Sequence, residues 1–94
     1  MKFKNEANKV EWENVKDKTA KKFAEDWANE MERMLDKDAN ATIKDVAFKA
    51  FESCIQKSPI TGQEEYEAAS LLGQHWDKGN DLYQLWIDGG IIPD

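Results

Sequence analysis

The chain of 94 residues carries a net charge of −6, and its length leaves room for one hydrophobic core, so residues 1–94 are read as a single domain. With 40% hydrophobic and 11% aromatic residues it is too apolar to be disordered. No stretch reaches the roughly 18 apolar residues of a membrane span, the N-terminus lacks an apolar signal core, and the single cysteine, Cys54, excludes an internal disulfide and a thiolate zinc site, so a cytoplasmic protein in a reducing compartment is expected.

A first helix is predicted from Glu6 to Asp17, with Asn5 as N-cap and Val10, Trp12 and Val15 as its apolar residues. From Thr19 to Leu35 the spacing of Ala20, Phe23, Ala24, Trp27, Ala28, Met31, Met34 and Leu35 traces one face of a second helix. Thr42 caps a third from Ile43 to Lys57, whose stripe is Ile43, Val46, Ala47, Ala50, Phe51, Cys54 and Ile55. Ser58-Pro59 ends it, because proline disfavours helical geometry in the preceding residue and has no N–H to give.

Thr61 and Glu64 have the spacing of a capping box, which starts a further helix near Gly62. Ala69, Leu72, Trp76, Gly79, Tyr83 and Trp86 then keep three- and four-residue steps and predict one long helix to Asp88, with Gly89 as its C-terminal cap. Gly79 would lie inside that helix at a close contact with the second helix, near Trp27 and Met31. No segment alternates as a strand does. The fold class is therefore all-α, a small bundle of three to four helices with a long C-terminal helix, and the four Trp residues are expected to anchor its core.

The chemistry-bearing residues find no partners in the sequence. His75 has no second His or Cys at i+3 or i+4, and Asp77 at i+2 falls on the other side of a helix, so no metal or catalytic role is expected of it. Glu64, Glu65 and Glu67 suit the positive end of a helix macrodipole. Asp36, Asp38 and Asn40 alternate like the start of a calcium loop but lack its glycine and closing glutamate. Cys54 falls within an apolar stripe, and Ser53, Ser58 and Ser70 stand alone. No catalytic, metal or cofactor site is predicted, and the chain is expected not to be an enzyme.

Charge is uneven: residues 1–22 sum to +3, residues 23–58 to −3 and residues 59–94 to −6. The acidic third disfavours nucleic acid, leaving only Lys2, Lys4, Lys9, Lys16, Lys18, Lys21 and Lys22 as phosphate contacts, without a recognition-helix pattern.

The run Ala24-Glu25-Asp26-Trp27-Ala28-Asn29-Glu30-Met31-Glu32, followed by Ile60-Thr61-Gly62 and by Ala68, Leu72, Trp76, Gly79 and Leu82, resembles a family of small phage and prophage proteins of Gram-positive bacteria. The resemblance spans most of the chain and implies a shared bundle core; no activity comes with it. A phage-type accessory protein acting by protein–protein binding is the leading expectation, with an exposed Trp beside acidic residues as the interface anchor to look for. The alternative is an acidic DNA mimic that blocks a host nucleic-acid-binding protein. Homo-oligomerisation is compatible with either.

Overall fold

The computed structural model describes residues 1–90. Among them the helices are α1 (Glu6–Glu13), α2 (Lys18–Lys37), α3 (Ile43–Lys57), α4 (Gly62–His75) and α5 (Gly79–Asp88). The all-α class is borne out. The helix count is corrected to five among the described residues, and the long C-terminal helix is two helices folded against each other.

Local sequence accounts for most of the ends. The Asn5 side chain accepts from the Asn8 N–H at 2.8 Å, so α1 starts as expected, but it stops at Glu13, short of Asp17. Asp17 instead caps α2, accepting from the Ala20 N–H at 3.0 Å. Asp45 accepts from the Thr42 N–H at 2.9 Å at the start of α3. Thr61 and Glu64 form the predicted capping box: Glu64 N–H donates to Thr61 Oγ1 at 3.1 Å, and Thr61 N–H donates to Glu64 Oε1 at 3.0 Å. After Gly89, Gly90 takes the left-handed φ of 77° that favours glycine.

α2, α3, α5 and α4 close a cycle in which each packs on two others, and α1 lies outside it against α4. α2 faces both α3 and α4, which its buried Ala20, Ala24 and Ala28 permit by letting those helices come close, while Phe23, Trp27 and Met31 fill the centre. Each large side chain so buried contributes about 1.5–3 kcal/mol. Val10 and Trp12 are too close in sequence to share one helical stripe, and Trp12 takes the buried position of α1 while Val10 is 59% exposed.

The break between α4 and α5 follows from two contacts that periodicity does not report. Trp76 leaves the helix in an extended conformation, and its neighbours bond to the N-terminal segment: Lys4 N–H donates to His75 O at 2.9 Å and Asp77 N–H donates to Lys2 O at 3.0 Å. Phe3 and Trp76 thus form an isolated antiparallel bridge. Gly79 then brings α5 back onto α4 so closely that a Cβ there would lie 1.7 Å from Leu72 O. Gly79 is packed as expected, but against the Leu72–Gly73 backbone rather than Trp27 and Met31.

Candidate functional site

The four indoles are the first candidates, and all four are interior. Trp27 and Trp76 have no exposed surface, Trp86 and Trp12 almost none, so the indoles anchor the core as expected and none is open as an interface anchor. A buried indole N–H needs an acceptor, and each has one. Trp27 donates to Ala47 O at 3.1 Å, Trp12 to Glu25 Oε1 at 2.6 Å, Trp76 to Glu32 Oε2 at 2.9 Å and Trp86 to Glu65 Oε2 at 3.1 Å. Three carboxylates that sequence leaves as surface charge are thereby engaged inside the fold. Glu65 belongs to the group assigned to the α4 dipole, and Glu64 to the capping box, so two acids of the acidic third serve structure.

Glu32 also accepts from the Lys2 N–H at 3.0 Å and lies 3.3 Å from the Met1 amine. Burial pushes its carboxyl upward, but the hydrogen bonds from Trp76 and Lys2 and the nearby amine outweigh this and hold it below its ordinary value.

His75 is buried, with Nδ1 2.9 Å from Asn8 Oδ1 and its ring edge-on to Trp12. Glu11 is 3.9 Å away, whereas Glu65 is turned to Trp86. Burial lowers the imidazole pKa against the opposing pull of Glu11, and Lys4 lowers it further. Cys54 is buried between α2 and α3, and burial, with Asp26 and Glu30, pushes its thiol up and away from the nucleophilic thiolate. Asp36 falls in the last turn of α2, and Asp38 accepts from the Asn40 N–H at 3.0 Å, so the three alternating residues of that loop do not converge. Among the described residues no group of three or more His, Cys, Asp or Glu is arranged to hold a metal ion, and no helix is long and apolar enough to cross a membrane.

The outward-facing hydrophobics are on other residues. Among the described residues Val10, Phe48 at 49% and Tyr66 at 37% are the large exposed hydrophobic side chains, and Phe48 stacks on Trp86 with centroids 4.8 Å apart. Tyr66 borders a groove of about 560 Å³ between α4 and α5, formed by Tyr66, Ser70 and Gln74 on one side and Asn80, Tyr83 and Gln84 on the other. Gly73 lies beneath Tyr83, where a Cβ would come within 2.7 Å of the ring. One end is fixed by Lys4, whose ammonium donates to Gly73 O at 2.7 Å and to Asn80 Oδ1 at 2.8 Å.

Sequence reasoning misses this groove for a definite reason. On one continuous helix Tyr66 and Tyr83 would stand about 25 Å apart at 1.5 Å per residue. Only the turn at Asp77–Lys78 brings them to the same cleft. The available signal was the Gly79-Asn80 pair, a turn-forming dipeptide, with Gly73 six residues before it.

Comparison with known proteins gives one positive finding: a family model described as Type I Thoeris inhibitor Tad4 matches residues 1–87. No curated protein and no solved structure matches the chain.

Proposed function

Since the chain belongs to the Tad4 family of Type I Thoeris inhibitors, a phage-associated anti-defence family, we propose that it inhibits that system by stoichiometric binding to one of its proteins, without catalysis. The observation that carries this reading is the engagement of the chemistry-bearing side chains in holding the fold. Glu25, Glu32 and Glu65 accept indole N–H groups, His75 is enclosed against Asn8 and Trp12, and Cys54 is buried with its thiol pKa raised. A general base or nucleophile needs a free lone pair within reach of substrate, and these groups are instead engaged in, or enclosed by, the fold. A rigid helical surface with exposed aromatic and amide side chains is what such a protein offers to a partner.

Titration of purified type I Thoeris proteins with the chain tests the reading. Inhibition is expected to rise in proportion to added chain and to level off at a fixed molar ratio, with a complex of that ratio recovered on gel filtration. Complete inhibition by a small fraction of an equivalent, progressing with time, would overturn it in favour of an enzyme.

A further inference from the structure

We propose that the groove between α4 and α5 is the surface that grips the protein target, and that it takes an uncharged, extended segment of that target. This rests on the binding reading above and deepens it.

The first argument is charge. None of the groove's lining residues is ionisable near neutral pH, in a chain of which 34% is charged. A cation entering this cleft would meet the Lys4 ammonium at its end, which keeps its charge because Gly73 O and Asn80 Oδ1 are neutral acceptors. A phosphate group would face the chain's net charge of −6 with that single ammonium to offset it. Neutral chemistry is what the cleft accommodates.

Hydrogen-bonding capacity narrows the class to main chain. Lys4 occupies Asn80 Oδ1, which leaves the Asn80 amide NH₂ as a fixed donor. Gln84 donates from Nε2 to Asp88 Oδ1 at 2.8 Å, which leaves Gln84 Oε1 as a fixed acceptor. These residues are one helical turn apart, a rise of about 6 Å, close to the roughly 6.6 Å between residues i and i+2 of an extended chain, which present their C=O and N–H on the same side. A carbonyl would take the Asn80 donor while the N–H two residues on takes the Gln84 acceptor. From Tyr66 to Gln74 the α4 wall is about 12 Å long, enough for about four extended residues.

The walls supply the apolar contact. Both tyrosines of the chain line this groove. Tyrosine offers a large, stiff, amphipathic ring at low entropic cost, the property that concentrates binding energy in it. Tyr83 is seated on Gly73 and Asn80 is pinned by Lys4, so little ordering is left for the moment of binding.

The test titrates each type I Thoeris protein with the wild-type chain and with Tyr66→Ala, Gln74→Glu and, on the opposite terminus of the chain, Val10→Ser. All three altered side chains are exposed, so folding is preserved, as checked by melting temperature. Tyr66→Ala is expected to weaken binding about 30-fold, Gln74→Glu about 10-fold by placing a charge in the neutral cleft, and Val10→Ser by less than about 2-fold. If the wild type binds but the groove variants bind equally well, the groove assignment is overturned and the binding reading stands. If the wild type binds none of the system's proteins, both fall. A wild type that self-associates and becomes monomeric on Tyr66→Ala, with target affinity unchanged, would make the groove a contact between copies and overturn the proposal.

Discussion

The two ends of the core bury their tryptophans equally well by different means. At one end Trp27 and Trp86 sit 4.9 Å apart among Phe23 and Phe51, with Phe48 stacked outside, so ring packing between α2, α3 and α5 dominates, with the bond from Trp86 to Glu65 as the one carboxylate tether described there. At the other, Trp12 and Trp76 have Phe3 and His75 as companions and hang on carboxylates of α2 and on the N-terminal segment. Dispersion and hydrophobic burial do not titrate; carboxylates and imidazoles do. The ring packing around Trp27 should therefore keep its contribution across pH, and the tethered end should lose part of its own in acid through Glu32 and His75.

Trp27→Ala gives the largest expected effect, about 3–5 kcal/mol lost in urea unfolding. The loss should be the same at pH 7 and pH 5. A loss that shrinks with acid would break the comparison, because Trp27 donates to the Ala47 carbonyl and packs on rings, none of which titrates.

Gly79→Ala follows, at about 3 kcal/mol, the upper part of the range for overpacking. The added methyl meets Leu72 O and C, which are backbone and can yield only by moving α5 or α4. Because α5 carries Trp86 and the turn before it holds the N-terminal segment, both ends should loosen together. A more stable variant would show that the close approach of the helices is not real.

Glu32→Gln is expected to cost about 1–3 kcal/mol near neutral pH, the scale of a hydrogen bond to a charged acceptor. The sign with pH follows from the lowered carboxyl pKa. The folded state holds the carboxylate more tightly than the unfolded chain does, so its contribution is full above the unfolded value near 4.3 and is lost as pH falls through the folded one. The gap between wild type and variant should therefore close in acid, and a constant gap would remove the carboxylate's charge from the account.

His75 gives the smallest effect and the one at mildest pH. Its lowered pKa means that the folded protein takes up a proton less readily than the unfolded chain, so stability is full above about 6.5 and declines as pH falls below it. Asn8, Glu11, Lys4 and Trp12 are the groups facing the ring, and Glu11 opposes the shift. The urea midpoint should drop between pH 7 and pH 5, and His75→Gln should flatten that part of the curve. An unchanged slope would relocate the titrating group.

Much of this was open to sequence because its causes are local. The stripe from Ala20 to Met31, the Thr61–Glu64 box, the stop at Ser58-Pro59 and the core role of the tryptophans follow from side-chain spacing and from backbone groups within one turn of each other. Cys54 in the interior was legible for the same reason. The family resemblance drew on the same small and aromatic residues, so it reached a phage accessory protein and stopped short of a target.

What tertiary structure decided lies where residues far apart in the chain compete for the same group. Periodicity carried α4 straight through Gly79, because a helical row from Ala69 to Trp86 looks alike whether the chain continues or turns back on itself. The turn forms because Lys2 and Lys4, some 70 residues earlier, take up the backbone groups of His75 and Asp77, and because Gly79 has no Cβ to meet Leu72. The acceptors of Trp12, Trp76 and Trp86 are likewise glutamates 13 to 44 residues away, indistinguishable in sequence from surface charge. The groove between α4 and α5 exists only as a consequence of that turn. Spacing reports what one element can bury; which partner satisfies a hydrogen bond across the fold is settled only when the elements meet.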